Sequence, residues 1–194
     1  MDYSFIGNVL PRYVRLIGDH TKDRVSLLAE NFGLKPVKWL PGVFCLPGYL
    51  SLRDCKISSN QSDHRVAGLY PMDGSSCLAI AILGVPKDIP IKVLDLCCCP
   101  GSKLQYLAEK LNASSLVVGV DISVQRLNVC KSLMKTWYEP TRKYCSEGTA
   151  RKMVFHADGT VFGPENMGTL VYDSSIIDEE VNQYGGIKKR NKSY

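Results

Sequence analysis

From residue 91 onward the apolar and polar positions fall into alternating blocks. IKVLDL is a continuous apolar run of strand length, KLQYLAEKL carries apolar residues at helical spacing, and SLVVGVD is a second apolar run. VQRLNVCKSLMKTW follows as a second helix and ARKMVFHAD as a third strand. Unbroken apolar runs of this kind mark strands buried on both faces of a parallel sheet. Strand, helix, strand, helix, strand predicts half of a doubly wound α/β sheet, with right-handed crossovers and the spatial order 3-2-1.

The first third is patterned differently. RYVRLI (12–17) alternates long polar and apolar residues and predicts a strand; RVSLLAENFG (24–33) places Val25, Leu28 and Phe32 at helical spacing before a terminating Gly33. VKWLPGVFCL (37–46) predicts extended chain around a Pro-Gly turn, and RDCKISSNQSDHR (53–65) a polar loop. DGSSCLAIAILGV (73–85) sets an acid and two serines ahead of an apolar stretch, a capped helix. The fold class expected is α/β, an incomplete Rossmann-like sheet preceded by a small α+β subdomain. Residues 1–66 form the N-terminal module, 67–162 the ligand-binding half sheet, and 163–194 an insertion or flexible linker.

That last segment has little periodicity. TLVYD (169–173) can be read as a fourth strand, yet DSSIIDEEVNQYGGIKKRNKSY is polar and ends in a basic run. Half a sheet leaves its first strand with an open apolar edge, an aggregation liability unless something pairs with it. The expectation is that these residues are part of a longer protein.

Composition narrows the class. A chain of 194 residues with 45% hydrophobic content can bury a core, and no apolar run is long enough to span a bilayer. The N-terminal stretch, interrupted by Pro11, Arg12 and Arg15, is not a secretory signal. The eight cysteines include no repeated C-x-x-C pair, so reduced thiols rather than zinc or disulfides are expected, in an intracellular protein. A net charge of +5 permits a polyanionic partner without demanding one.

Candidate chemistry converges on the end of the first strand of the half sheet. In an open α/β sheet, ligands bind beyond the carboxyl ends of the strands where strand order reverses, here the turn CCCPGSK. Asp121, ending the next strand, lies in reach of a ribose, and Asp158 in HADGT, ending the third, can accept from an adenine amino group. G-x-G-x-x-G and G-x-x-x-x-G-K-[ST] are both absent, so neither a pyrophosphate cradle nor a P-loop is available. S-adenosylmethionine carries no phosphate; its amino-acid end needs backbone groups, a charge partner and close approach at a glycine. Asp95, Gly101 and Lys103 supply these.

VLDLCCCPGSK resembles the D-L-C-A-A-P-G-G-K-T signature of RNA cytosine-C5 methyltransferases of the bacterial Fmu and eukaryotic Nop/Sun type. PRYVRL, GLYPMDGSSCLAIAIL, GVDISVQRL and HADGT resemble further segments of that family in the same order, over about residues 10–162. The resemblance implies a class I methyltransferase sheet, with an N-terminal subdomain like an RNA-recognition motif. It implies that Cys97, Cys98, Cys99, Pro100, Gly101, Ser102 and Lys103 surround the methionine part of S-adenosyl-L-methionine, that Asp121 binds ribose with Arg126 assisting, and that Asp158 binds adenine. The implied partner is tRNA or rRNA, with no DNA, no membrane and no metal. Cys98 and Cys99 stand where the family has alanine, Ser102 where it has glycine, and Leu104 where it has threonine.

A larger departure concerns catalysis. Cytosine C5 is a poor nucleophile, so a thiolate must first add at C6. In the family the nucleophile sits in a T-C-S motif and a second cysteine in an acid-x-P-C-type motif after strand 4; neither motif is present. Cys145 precedes the third strand and cannot inherit the role, and aligning TLVYDSS with strand 4 would put Ser175 where a cysteine belongs. The expectation is a cofactor-binding part that is inactive alone, the alternative a non-catalytic methyltransferase-like domain that binds RNA or a partner. Beside these stand plainer roles: Asp95 and Asp121 as helix caps, Asp158 as a turn residue, His156 as a strand residue with a satisfied ring and Cys130 as core. Trp39, Tyr13 and Phe44 could stack on bases or fill the core. Sequence leaves open which RNA is modified, the compartment (nucleus, nucleolus or cytoplasm) and the oligomeric state.

Overall fold

The computed structural model describes residues 12–18, 21–46, 68–137, 141, 143–145 and 147–176. The polar segment 53–65 and the basic run near the C-terminus lie outside these residues. Two four-stranded sheets form the framework.

The first sheet is antiparallel, with strands β1 (Arg12–Leu16), β2 (Lys35–Pro36), β3 (Val43–Leu46) and β4 (Leu69–Pro71) in the order β2-β3-β1-β4. Val14 lies opposite Phe44 on one side and Pro71 on the other. Helix α1 (Lys22–Phe32) begins earlier than the pattern places it, because the Thr21 side chain accepts from the Arg24 N–H; Gly33 ends it in the left-handed conformation, as expected. Val14, Leu16, Leu34, Phe44, Leu46 and Leu69 make a separate small core. Phe44 is thus a core residue, and Trp39, in the β2–β3 turn, is 63% exposed. β4 lies beyond residue 66, where the sequence pattern ends the N-terminal module, and pairs with β1.

Helix α2 (Gly74–Leu83) is capped by Asp73, which accepts from the Ser76 N–H, and closed by Gly84. It turns Cys77 and Ile80 into the larger core and leaves Leu78, Ile82 and Leu83 on its outer face.

The second sheet has the order β5-β6-β7-β8. Strands β5 (Lys92–Asp95), β6 (Leu116–Asp121) and β7 (Arg151–His156) are parallel, joined through helices α3 (Ser102–Lys110) and α4 (Val124–Thr136). This is the predicted 3-2-1 order, in a Rossmann-like α/β fold. Two expectations are corrected. β5 is not buried on both faces: Leu94 is 50% exposed, and among the described residues the strand lies at the sheet edge, paired only with β6. The segment after residue 162 contains a strand, β8 (Thr169–Asp173), which runs antiparallel to β7 on the edge opposite β5. TLVYD therefore does not take the place of a strand beside β5. Its acid, Asp173, is ion-paired with Arg151 of β7.

Candidate functional site

The carboxyl ends of β5, β6 and β7 meet on one side of the sheet, and the turn after β5 is tied to both neighbours. The Cys98 N–H donates to the Val120 carbonyl at 3.0 Å, and the Cys99 N–H donates to Asp121 Oδ2 at 3.2 Å. Arg126, on α4, donates to the Cys99 carbonyl and lies 3.6 Å from Asp121 Oδ2. On the third strand, the Ala157 N–H donates to the Asp121 carbonyl at 3.2 Å.

Gly101 makes the turn possible. It adopts φ +104°, and a Cβ there would lie 2.7 Å from both Cys130 Sγ and Met134 Cε. The chain then enters α3, whose first free N–H groups face the same end of the sheet. Gly159 is constrained by space alone: a Cβ would come within 2.9 Å of the Leu96 carbonyl, so the loop after β7 packs against the turn after β5.

Three acids occupy this end, in three different states. Asp95 Oδ1 accepts from the Cys97 N–H at 3.1 Å; its Oδ2 is buried, has no hydrogen-bond partner among the described residues and lies 3.7 Å from Lys103 Nζ. Asp121 is buried, with Oδ1 accepting from the Ser123 N–H at 3.0 Å and Oδ2 from Cys99. Although burial alone raises its pKa, the Ser123 and Cys99 N–H groups and Arg126 together hold the carboxyl below the ordinary range. Asp158 is exposed and accepts from the Thr160 hydroxyl and N–H at 2.7 and 2.8 Å, which lower its pKa.

The structure therefore gathers Asp95, Cys97–Lys103, Asp121, Arg126 and Asp158 at one end of the sheet. Within it Cys97 and Pro100 are exposed while Cys98, Cys99 and Gly101 are buried. Ser102 accepts a hydrogen bond from the Tyr70 hydroxyl at 3.4 Å, a link from β4 into the turn. Burial is the main reason that the Tyr70 hydroxyl is pushed up to about 12. Asp121 differs from the sequence expectation in one respect: Oδ2 already braces the turn and Oδ1 the loop that leads into α4, so holding a ligand would draw on its remaining lone pairs. His156 meets its expectation, with Nε2 3.1 Å from the Ile122 carbonyl.

Sequence reasoning did not find Arg15. Alternation along β1 marks it as a polar position, yet it is 1% exposed and ion-paired with Glu109 of α3, between the rings of Tyr70 and Tyr106. No local signal could have placed it, because its partner lies 94 residues away.

Comparison with known proteins gives this geometry a context. Residues 82–148, from the end of α2 to just before β7, match the FtsJ-like methyltransferase family. The chain is 26% identical over 166 residues to a ribosomal RNA small subunit methyltransferase F of Citrobacter koseri, covering 82% of this chain and 32% of that one. It is 26% identical over 183 residues to a human 28S rRNA (cytosine(4447)-C(5))-methyltransferase, covering 94% of this chain and 21% of that one. It spans about a third or less of these relatives. A methyltransferase homologue from Pyrococcus horikoshii superposes with a TM-score of 0.54 at 22% identity, over 76% of this chain and 44% of that one, and shares the fold. Over most of its length the chain is similar to RNA cytosine-C5 methyltransferases of the Fmu and Nop/Sun type, as its CCCPGSK turn implies.

Proposed function

We propose that these residues are the cofactor-binding part of an S-adenosyl-L-methionine-dependent RNA cytosine-C5 methyltransferase acting on rRNA or tRNA. The observation that carries the reading is the buried Asp95 Oδ2, which among the described residues accepts no hydrogen bond, has Lys103 Nζ 3.7 Å away and sits at the carboxyl end of β5 beside the CCCPGSK turn. A desolvated carboxylate oxygen without a donor costs free energy unless a ligand supplies one. The α-ammonium of S-adenosylmethionine is such a donor, and this chemistry fits the site.

On this reading Asp95 and Lys103 take the amino-acid end of the cofactor, Asp121 the ribose with Arg126 beside it, and Asp158 the adenine. Cys97, Cys98, Cys99, Pro100, Gly101 and Ser102 form the floor with their backbone. When bound, the cofactor supplies an electrophilic methyl group. The chain's own part is positional: Asp121 pins the turn to β6, and the N–H groups opening α3 favour a carboxylate. Residues 1–66 face RNA, with exposed Trp39 as a stacking group.

These residues alone do not methylate. The thiolate that must add to cytosine C6 belongs to motifs this sequence lacks. Cys98 is held protonated by its hydrogen bond to Cys130 and by burial, and Cys99 chiefly by burial. That same lack supports a second reading, a non-catalytic domain that binds RNA or a partner protein.

Calorimetry with S-adenosylmethionine tests the site. Binding should be measurable, and Asp95→Ala should weaken it about tenfold or more, as loss of a charge-assisted hydrogen bond predicts. Absence of binding by the folded chain, or binding indifferent to Asp95→Ala, overturns the assignment. Tritium transfer from the cofactor to cytosine in rRNA by these residues would contradict the predicted inactivity. Retained RNA binding without cofactor binding favours the second reading.

A further inference from the structure

Beneath the turn lie three buried thiols that this functional reading does not use. Cys98 and Cys99 follow β5, and Cys130 projects from α4; their sulfurs all lie within 4.8 Å of one another. They are 0%, 3% and 0% exposed. A centre bonded to three sulfurs at about 2.3 Å, the zinc–thiolate length, needs sulfurs roughly 3.5–4 Å apart, which small side-chain rotations supply.

We propose that Cys98, Cys99 and Cys130 form a binding site for a trivalent thiophilic centre, of which arsenous acid is the representative. Two observations select this class over a divalent cation. Three thiolates around a divalent ion would leave a net negative charge in a dry site beside Asp121. A trivalent centre gives a neutral product: As(OH)3 and three R–SH yield As(SR)3 and three waters, each As–O bond replaced by As–S and each thiol proton leaving in a water. No charge is created and no oxidant is needed. The raised pKa values of Cys98 and Cys99 therefore do not oppose capture. Cys99, the least buried of the three at 3% exposed, is the point of entry. The site does not depend on the chain's being a methyltransferase.

The test is titration of the reduced, folded chain with arsenous acid, read by native mass spectrometry. One equivalent should be retained, with a mass gain of one arsenic less three hydrogens. Cys98→Ala, Cys99→Ala and Cys130→Ala should each weaken retention at least about a hundredfold, because the third thiol acts at high effective concentration. Cys97→Ser and Cys145→Ser should leave it unchanged. If a triad variant does not fold, alkylation mapping of the wild type in denaturant, with and without prior arsenic, decides: bound arsenic should slow modification of Cys98, Cys99 and Cys130 relative to the arsenic-free chain, and of no other cysteine. No retained equivalent, retention indifferent to the triad substitutions, or protection at other cysteines overturns the proposal.

Discussion

Arg15 of β1 and Glu109 of α3 form a two-pronged ion pair across the two sheets, with both side chains almost wholly buried. The guanidinium carbon lies 4.5 Å from the ring centre of Tyr70 and 4.8 Å from that of Tyr106. Gln105 Nε2 donates to Glu109 Oε1 at 2.7 Å and to the Thr141 hydroxyl at 2.8 Å, which extends the network along α3. Burial alone would lower the Arg15 pKa, but the attraction and hydrogen bonds of Glu109 outweigh it and raise it. The helix that leaves the candidate site is thereby fixed to the first sheet by a desolvated charge pair.

Breaking that pair on one side strands the other charge in the core. Arg15→Met should cost about 3–5 kcal/mol of stability in urea unfolding, and adding Glu109→Leu should recover a large part of it. A double variant as unstable as Arg15→Met alone would show that the site depends on packing around Arg15 rather than on charge.

Gly101→Ala attacks the turn from inside. The left-handed backbone costs about 1–3 kcal/mol for a residue with a side chain, and the added methyl meets Cys130 Sγ and Met134 Cε at 2.7 Å. Thermal unfolding should report the loss. Combination with Cys130→Ala should return the part due to crowding against the Cys130 sulfur and leave the parts due to Met134 and to φ.

Asp121 and Asp158 should separate cleanly. Asp121→Ala leaves the N–H groups of Cys99 and Ser123 without their acceptor, at about 1–3 kcal/mol for each buried group, so its unfolding midpoint should fall. Asp158→Ala removes only an exposed contact with Thr160 and should leave the midpoint unchanged. Equal midpoints for the two variants would contradict the bracing role of Asp121.

The Arg151–Asp173 pair predicts a pH dependence. Arg151 above all holds the Asp173 carboxyl down to about 2, below its ordinary value of 3.8. A carboxyl depressed in the folded state contributes stability fully above its unfolded pKa and loses it as pH falls through the folded one. Arg151→Met should therefore be less stable than wild type at pH 7. The gap should narrow below about pH 4 and close near pH 2; a gap constant across that window would refute the ion pair as its source.

Much of the second sheet was legible because buried parallel strands are continuous apolar runs and the intervening helices keep their period. β4 was not, since three residues carry no period. The apolar run of β5 reads as doubly buried, yet Leu94 is 50% exposed, and among the described residues only β6 flanks the strand. At the candidate site, the positions of Asp95, Asp121 and Asp158 followed from strand ends, but their states did not. That Asp121 accepts hydrogen bonds on both oxygens while Asp95, among the described residues, accepts on one depends on the path of the turn between them. Cys130 looked like an ordinary core residue because the two sulfurs beside it come from another part of the chain.

The position of β5 also sets how local opening reaches the site. Among the described residues β6 is hydrogen-bonded on both flanks and β5 on one, so the amides of β5 should exchange with solvent sooner than those of β6. Residues 97–103 extend directly from this edge strand. Local opening of β5 should therefore loosen the start of the turn before global unfolding does, while the bonds of Cys98 and Cys99 to β6 hold its middle. Whatever pairs along its free edge would slow exchange in β5 and raise the occupancy of the formed turn together.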